Sequence, residues 1–323
     1  MILHEKSEKN RKMNLIRGKK KNIWIAALLL SLLFAAVALT GCGEDGPEDK
    51  AYLPARERIF LEPEPGRYCM AEAVYPLNYD GSMPLIAMGH GFKGTLNSGG
   101  ASELAERLAR AGFASIRMDF NPHISPKKSA AKTNMYDLGS MKEAMLCGIR
   151  YMQDNYSIDP ERIGLYARSM GGRVVMTMAN ENYGDIQYRA LAMVAPAGNK
   201  DAMIHYAGGQ QKWDKMKEKA RNEGLVEYQG LKLTEAWFAE FEAYNPCDFG
   251  YKFGDNPVLV ICNTLDHVVT EDTSLECAHA YENSRVITVT TEDRHGYEMS
   301  YENSDLKDYL MDEILSFFRS YMR

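Results

Sequence analysis

The sequence is poor in the residue patterns that hold metal ions or nucleotides. Its seven histidines are scattered, and His90, His123 and His205 do not have the spacing of metal ligands. No Walker-type glycine motif is present, and the isolated pair Gly99-Gly100 is too short to indicate a phosphate-binding loop. The six cysteines match no zinc-binding pattern. The sequence therefore predicts neither a metal ion nor an organic cofactor.

A basic segment followed by an apolar run begins the chain. Lysines and arginines are dense between residues 6 and 21, and the apolar run extends from Ile23 to Leu39. This order is typical of a bacterial secretion signal. The residues Leu39-Thr40-Gly41-Cys42 are similar to a lipobox, where the signal is cleaved and the new terminal cysteine receives lipid. An uncleaved transmembrane anchor is the alternative, although the run has only the minimum length for a span.

We therefore predict a lipoprotein signal peptide at residues 1–41, lipid attachment at Cys42 and a polar tether at residues 42–57. Such a protein is exported, and its lipid holds it on the outer side of the bacterial cytoplasmic membrane or on the outer membrane. Residues 58–323 would then form the folded domain. With Cys42 lipidated, the other cysteines are odd in number and cannot all pair, although one disulfide remains open.

Positive charge is scarce once the signal segment is set aside. The whole chain has 38 Lys and Arg against 44 Asp and Glu. Without the eight basic and two acidic residues of positions 1–41 it has 30 against 42, a net charge near −12. Such an acidic protein repels the phosphates of nucleic acids. We therefore exclude nucleic-acid binding as its function.

The folded domain alternates between apolar runs and amphipathic stretches. Residues 84–89 predict a buried parallel strand, residues 102–111 predict a helix with one apolar face, and residues 113–120 predict the next strand. The alternation resumes near residue 257 and continues to the end of the chain. We therefore predict the α/β class, with one doubly wound and mostly parallel sheet.

Residues 197–250 interrupt this alternation, because they are charged and rich in aromatic side chains. Between Thr234 and Tyr244 the aromatic residues fall on one face of a predicted helix. We interpret residues 197–250 as a helical cap inserted over one end of the sheet. Most of its aromatic rings are expected to pack against the body of the domain rather than to contact a ligand.

The segment from Ile163 to Gly172 is an apolar run that ends in a serine between small residues. Ala167 lies two residues before Ser169, and Gly171 lies two residues after it. A nucleophile elbow has this pattern: a strand ends, the serine takes a strained conformation that exposes its hydroxyl, and a helix begins at once. Small neighbours are needed because the strand and the helix nearly touch. The usual motif is Gly-x-Ser-x-Gly, so Ala167 adds one methyl group to it.

A serine hydroxyl becomes a nucleophile when a base takes its proton and a third group orients that base. Asp266 follows the apolar strand predicted at residues 258–262, and His295 follows the strand predicted at residues 286–290. Both therefore lie at the carboxyl ends of parallel strands, the edge where Ser169 is expected. Weaker candidates for the same roles are two acids at the start of a predicted helix and two other histidines: Glu271, Asp272, His267 and His279.

Acyl transfer places negative charge on a carbonyl oxygen, and hydrogen-bond donors fixed in advance stabilise that charge. The backbone N–H of Met170, directly after the serine, is the first predicted donor. The second is the backbone N–H of Phe92, which follows His90-Gly91 in the loop after the strand that ends at Gly89. We expect these two N–H groups to form an oxyanion hole.

Four segments, in this order along the chain, together resemble the α/β-hydrolase superfamily. They are Gly89-His90-Gly91-Phe92-Lys93-Gly94, Ala167-Arg168-Ser169-Met170-Gly171-Gly172, residues 263–269 around Asp266, and Arg294-His295-Gly296-Tyr297. Within the superfamily, the chain is similar to bacterial carboxylesterases of the cinnamoyl (feruloyl) esterase type and to serine aminopeptidase-like hydrolases. The resemblance covers residues 65–322. It departs from the family at residues 122–126, where Gly-His-Gly often occurs, so the substrate preference is not carried over.

The resemblance implies an α/β-hydrolase fold and a serine hydrolase that cleaves carboxylic esters through an acyl-enzyme on Ser169. Together with the predicted signal peptide and Cys42, it indicates an exported, lipid-anchored enzyme. His295 would act as base and then acid, and Asp266 would orient it. A serine exopeptidase or an acyltransferase would use the same three residues. A binding lipoprotein that lost catalysis is a further alternative, although a binding protein has no chemical need for all three. The expected partners are a small-molecule ester and, through the lipid, a membrane, whereas the oligomeric state is not predicted.

Overall fold

The computed structural model describes residues 51–120 and 137–322 in full, and residues 135 and 136 by their backbone alone. The predicted signal peptide and Cys42 lie outside the described residues, as does the segment 122–126 that departs from the family pattern. Among the helices that are described, none is long and apolar enough to cross a membrane.

Eleven strands occur in the described residues: β1 (Pro54–Glu64), β2 (Arg67–Pro76), β3 (Met83–Gly89), β4 (Ala114–Met118), β5 (Met135–Tyr136), β6 (Ile158–Arg168), β7 (Tyr188–Val194), β8 (Val226–Tyr228), β9 (Leu231–Leu233), β10 (Val258–Asn263) and β11 (Ser284–Val289). Eight of them form the central sheet, in the order β1-β2-β4-β3-β6-β7-β10-β11. β2 runs antiparallel to both β1 and β4, and the other neighbours are parallel. The predicted, mostly parallel sheet is confirmed.

Eight α-helices accompany these strands in the described residues: α1 (Ala101–Arg110), α2 (Leu138–Asn155), α3 (Met170–Glu181), α4 (Ala202–Ala207), α5 (Gln210–Glu223), α6 (Glu235–Ala243), α7 (Glu271–His279) and α8 (Asp305–Met322). Apolar residues of α1 and α8 share one buried cluster with the sheet. Apolar residues of α2, α3 and α7 share the other. The sheet is therefore covered on both faces, as a doubly wound fold requires.

The alternation of side chains along β3 shows how one strand serves both layers. Leu85 and Ala87 belong to the cluster that α2 and α3 cover, whereas Ile86 and Met88 belong to the cluster that α1 and α8 cover. All residues of β3 are buried. A strand with helices on both faces has no solvent-facing positions, which explains why its sequence is one continuous apolar run.

The segment between β7 and β10 corresponds to the predicted cap, but it is not entirely helical. Besides α4, α5 and α6 it contains the antiparallel hairpin β8–β9, which extends to β5 in a small three-stranded sheet. Gln229 and Gly230 connect the hairpin with φ values of 50° and 83°, a turn that matches the twist of the paired strands. The prediction of a helical cap is corrected here, because strands of three residues are too short to show their periodicity in the sequence.

The aromatic helix of the cap was placed correctly by its periodicity. It is α6, and its Trp237, Phe238 and Phe241 are fully buried. Phe238 packs edge-on against Trp213 of α5, with 4.8 Å between the ring centres. As expected, these rings hold the cap together and attach it to the body of the domain.

The predicted tether extends too far toward the domain, since β1 already covers residues 54–57. Arg56 and Arg58 of β1 reach the buried carboxylate of Glu72 on β2, at 3.4 and 3.1 Å. β1 is an edge strand with charged side chains, which is how natural proteins protect a sheet edge. In the sequence such residues look like solvated linker, because their partners become visible only once β2 lies beside them.

One buried arginine fastens the cap to the body of the domain. Arg173 of α3 is 1% exposed and forms no ion pair among the described residues. Its guanidinium donates to the carbonyls of Gly198 and Asn199 at 3.0 and 3.1 Å, to that of Phe241 at 2.9 Å, and to that of Tyr244. Burial lowers the pKa of Arg173 to about 10, so the side chain is charged at neutral pH. Charged hydrogen bonds therefore bridge from α3 to the segments before α4 and at the end of α6.

Replacing Arg173 with methionine keeps much of the side-chain volume and leaves these carbonyls without their donor. Each buried group left unsatisfied costs about 1–3 kcal/mol, and partial relaxation lowers the total. We expect Arg173→Met to reduce the free energy of unfolding by about 3–5 kcal/mol, measured by urea unfolding at pH 7. The control is Arg189→Met, which breaks a more exposed pair with Glu161 and should cost less than about 1 kcal/mol. Equal losses in the two variants would contradict the role given to Arg173.

Candidate active site

Ser169 forms the turn between β6, which ends at Arg168, and α3, which begins at Met170. Its φ of 51° and ψ of −126° lie outside the regions that residues with a side chain usually occupy. The close approach that requires small neighbours is also present. A Cβ atom on Gly171 would lie 2.5 Å from the carbonyl oxygen of His90, so only glycine fits there. The turn thus has the strained geometry expected from the sequence.

The structure brings Ser169, Asp266 and His295 together at the carboxyl ends of β6, β10 and β11. Nε2 of His295 lies 3.0 Å from Oγ of Ser169, and Nδ1 lies 2.6 Å from Oδ2 of Asp266. The carboxylate is fully buried, whereas the imidazole is 28% exposed. If Nδ1 carries the proton and donates it to the carboxylate, Nε2 is left to accept the hydroxyl proton. The arrangement can therefore activate the serine as a nucleophile.

The weaker candidates named from the sequence do not enter this chain of hydrogen bonds. Glu271 and Asp272 lie in the first turn of α7, where negative charge interacts favourably with the helix dipole. His267 and His279 are exposed. Across the described residues, no group of three or more His, Cys, Asp or Glu side chains is placed to hold a metal ion.

Several donors surround the carboxylate of Asp266 and fix its orientation. Oδ1 accepts the backbone N–H groups of Val268 and Val269, at 2.8 and 3.1 Å. Oδ2 accepts the hydroxyl of Tyr297 at 3.3 Å, in addition to the imidazole of His295. Burial and the neighbouring carboxylate raise the pKa of Tyr297, so its hydroxyl stays protonated and remains a donor. Tyr297 belongs to the motif that contains His295, two residues after the histidine, but the sequence did not predict its contact with Asp266.

Asn263, the last residue of β10, links the loop that contains Asp266 to the loop that contains His295. Its Nδ2 donates to the carbonyls of Thr291 and Arg294, at 2.9 and 2.8 Å. Its Oδ1 accepts the N–H groups of Leu265 and Thr291, at 3.2 and 3.1 Å. The side chain is fully buried and uses both ends of the amide. This residue was also missed, because it reads in the sequence as an ordinary strand end.

The loop after β3 packs directly against the serine. A Cβ atom on Gly91 would lie 2.9 Å from Cβ of Ser169, so the backbone that leads to Phe92 passes beside the serine. Met170 is the first residue of α3, and N–H groups in the first turn of a helix have no partner within it. Both predicted donor residues therefore flank Ser169. Their role as an oxyanion hole stays a prediction.

The ring of Phe92 also connects this loop to the cap. Its centre lies 5.9 Å from that of Trp237, 6.0 Å from that of Tyr206 and 6.1 Å from that of Tyr228. These distances are typical of packed aromatic pairs. The cap thus contacts the loop that carries a predicted oxyanion donor. The position of this loop beside Ser169 therefore depends on packing against the cap.

His90 holds the loop in place from within the protein. Its Nδ1 donates to the carbonyl of Gly91 at 2.7 Å, and its Nε2 accepts the backbone N–H of Phe120 at 2.8 Å. These partners require the neutral ring with the proton on Nδ1. Burial lowers the pKa of His90 from its ordinary 6.5 to about 4, although the nearby Asp119 acts in the opposite direction. His90 therefore has a structural role, distinct from the base role predicted for His295.

Two cavities meet at Ser169. The larger, of about 380 Å³, lies between the loop after β3, the start of α1 and the loop of His295. The smaller, of about 60 Å³, lies under the cap and is lined by Phe92, Met203, Tyr206 and Val268. Ser169 and His295 line both cavities. A substrate bonded to the serine could therefore extend in two directions.

No family model and no curated protein matches the chain, but many solved structures do. Est1E from Butyrivibrio proteoclasticus has 22% identity and a TM-score of 0.57, covering 80% of this chain and 98% of that one. The α/β-hydrolase GrgF from a Penicillium species has 13% identity and a TM-score of 0.61, covering 83% and 99%. The esterase domain of a Rhodothermus marinus protein has 15% identity and a TM-score of 0.59, covering 83% and 100%.

These similarities show that the chain has the α/β-hydrolase fold, as its motifs implied. The matches cover nearly all of each neighbour, so the fold is present as a whole. A fold of this kind hosts many unrelated reactions. The fold alone therefore does not identify the reaction, which depends on the side chains at the site.

The buried His90 makes stability depend on pH in a defined window. Between pH 6.5 and about 4 the unfolded chain binds a proton at this residue that the folded chain does not, so stability is lost as the pH falls. From pH 7 to pH 5 this loss amounts to about 2 kcal/mol. The amide of His90→Gln can keep one donor and one acceptor but does not titrate. Between pH 7 and pH 5, the free energy of unfolding of this variant should therefore fall by about 2 kcal/mol less than that of the unchanged protein.

Urea unfolding at pH 7 and pH 5 measures this difference. The matched control is His279→Gln, which removes an exposed histidine at the end of α7 and should keep the pH dependence of the unchanged protein. If His90→Gln also keeps that dependence, His90 is not the neutral, buried group described above.

Proposed function

We propose that this protein is a serine hydrolase that cleaves carboxylic esters through an acyl-enzyme on Ser169. The observation that carries the proposal is the unbroken line of hydrogen bonds from Asp266 through His295 to a hydroxyl on a strained turn. Carboxylate, imidazole and hydroxyl in this order form a nucleophile with its own base. Structural neighbours named as esterases add support at the level of the fold, and one structure of Est1E has ferulic acid bound.

In the first half of the reaction, Oγ of Ser169 attacks the carbonyl carbon of the ester while Nε2 of His295 takes the hydroxyl proton. The electron pair of the carbonyl π bond moves to the oxygen, which accepts hydrogen bonds from the N–H groups of Phe92 and Met170. As the carbonyl re-forms, the bond to the alkoxy oxygen breaks and His295 gives its proton to the leaving alcohol. Asp266 keeps Nδ1 protonated and stabilises the imidazolium.

In the second half, water replaces the alcohol. His295 takes a proton from the water, whose oxygen attacks the acyl carbon, and the bond to Oγ of Ser169 breaks as the proton returns to the serine. Release of the acid restores the starting state. An acyltransferase would use another alcohol in place of water, so the same residues serve both reactions.

The dimensions of the site support a small-molecule ester as the substrate. The larger cavity, of about 380 Å³, is within the usual range for small-molecule sites, and the smaller one is lined by apolar side chains of the cap. One cavity would receive the acyl group and the other the alcohol. An exopeptidase with the same triad is the alternative, and it would cleave aminoacyl anilides, which a carboxylesterase leaves intact.

Changing Ser169 to alanine removes the nucleophile. We expect a fluorophosphonate probe to label the unchanged protein and not Ser169→Ala, and the kcat for p-nitrophenyl butyrate to fall by at least about 10⁴-fold. The control is Ser320→Ala, which removes an exposed hydroxyl near the end of α8 and should label normally. A well-folded protein that neither reacts with the probe nor hydrolyses esters would instead support the binding lipoprotein.

The substrate class follows from a panel of esters. It would combine p-nitrophenyl esters of increasing chain length, methyl esters of hydroxycinnamates, and aminoacyl anilides. Hydrolysis of the esters without cleavage of the aminoacyl anilides supports the esterase proposal. Efficient cleavage of the anilides would assign the site to an exopeptidase.

We further propose that the protein is exported and anchored through lipid on Cys42. The basic segment, the apolar run and the small residues before Cys42 support this proposal. In a bacterial host, Cys42→Ala should lose incorporation of labelled palmitate, because the thiol that starts the lipid attachment is absent. Cys147→Ala, which changes a cysteine of the folded domain, should keep the label. Labelling of Cys42→Ala would contradict the assignment of the lipid to this residue.

A further inference from the structure

The larger cavity beside Ser169 carries a charge that the proposed reaction does not use. Its lining includes three cationic side chains, those of Lys93, Arg117 and Arg168, and no Asp or Glu. Cations without a counter-charge in a ligand cavity usually bind an anionic part of the ligand. The three differ in the partners that already balance their charge.

The charge of Arg117 is already balanced within the protein. Its side chain is 1% exposed, and the guanidinium donates to the buried carboxylate of Glu72. It also donates to the carbonyl of Leu96 at 2.7 Å and to Oδ1 of Asn97 at 2.8 Å. Arg117 therefore holds the wall of the cavity in place and contributes little net charge to it.

Arg168, directly before the nucleophile, has no such balance. Its Nη2 donates to the carbonyls of His295 and Gly296, at 3.0 and 3.1 Å. Its Nη1 lies against the backbone of Gly99, where a Cβ atom would come within 1.9 Å of it. In the described part of the chain, Arg168 meets no carboxylate, and its Nε and Nη1 have no acceptor. The guanidinium of Arg168 is thus a partly buried cation with N–H groups that have no acceptor among the described residues, and it faces the space next to Ser169.

Lys93 adds a second cation at the entrance of the same cavity. It is exposed, and its Nζ lies 3.4 Å from Oε1 of Gln229 in the cap, a neutral acceptor. Because it is exposed, water screens its charge more than that of Arg168. It therefore assists an anionic ligand less than Arg168 does.

We propose that the substrate is an ester that carries a carboxylate, and that Arg168 binds this carboxylate in the larger cavity. The inference rests on the proposed hydrolysis at Ser169 and specifies its substrate class. Arg168 is a specificity-determining residue in this assignment, because it contacts a part of the substrate that does not react. A charge-assisted hydrogen bond inside the cavity would replace the water around both ions and favour the anionic ester over a neutral one of equal size.

Two matched pairs of esters test this inference. The first pair carries the group on the acyl side: mono-p-nitrophenyl glutarate and the isosteric p-nitrophenyl ester of glutaric acid monoamide. The second carries it on the alcohol side: the butyrates of 4-hydroxybenzoate and 4-hydroxybenzamide. We expect the ratio of kcat/KM for carboxylate over amide to fall by roughly ten- to hundredfold in Arg168→Gln, in at least one pair.

Two further variants separate binding from structure. Arg168→Lys, which keeps the charge, should keep most of the preference, and Lys93→Gln should change the ratio less than Arg168→Gln does. If Arg168→Gln lowers kcat/KM for carboxylate and amide esters by the same factor in both pairs, Arg168 only holds the loop of His295 and the inference is wrong.

Fluorophosphonate labelling of the unchanged protein distinguishes failure of this inference from failure of the proposed serine hydrolase. A labelled protein without the Arg168-dependent ratio overturns the substrate class alone, whereas no labelling and no hydrolysis overturn the serine hydrolase as well.

Discussion

The strained turn at Ser169 is the constraint on which the site depends. A residue with a side chain in this conformation costs about 1–3 kcal/mol. Three backbone hydrogen bonds hold it there: the N–H of Ser169 donates to Val194 at 2.9 Å, and its carbonyl accepts the N–H groups of Gly172 and Ala197 at 2.8 and 3.0 Å. At about 1 kcal/mol each, they offset the strain. Val194 ends β7 and Ala197 follows it, so the neighbouring strand fixes the position of Ser169.

The imidazole of His295, which faces Ser169, is also held in place by the backbone around it. The N–H groups of Gly296 and Tyr297 both donate to the carbonyl of Asp293 at 2.8 Å, and a Cβ atom on Gly296 would lie 2.2 Å from the carboxylate of Asp293. Tyr297 and Glu298 have φ values of 58° and 55°. Both sides of the contact between hydroxyl and imidazole are thus fixed before a substrate arrives. Such preorganisation avoids a cost of rearrangement during the reaction.

The sequence predicts the three side chains that meet at the site better than the groups that hold them. Ser169, Asp266 and His295 could be identified because each follows a strand, and parallel strands bring their carboxyl ends to one edge. Asn263 and Arg173 could not, since their partners are mostly backbone carbonyls distant in the sequence. A carbonyl occurs at every residue and leaves no pattern of its own. The β8–β9 hairpin could not be predicted either, because each of its strands has three residues, too few to show an alternating pattern.

The charge of the protein and the charge of the cavity have opposite signs, which limits how an anionic ligand could be selected. With a net charge near −12 for residues 42–323, the surface as a whole does not attract anions from a distance. In physiological salt this repulsion fades within about 8 Å, whereas partly buried charges are screened less. Selection therefore has to act inside the cavity, through short contacts. Since Arg168 also donates to the carbonyl of His295, the side chain that would meet the ligand's charge is bonded to the residue that would move the proton.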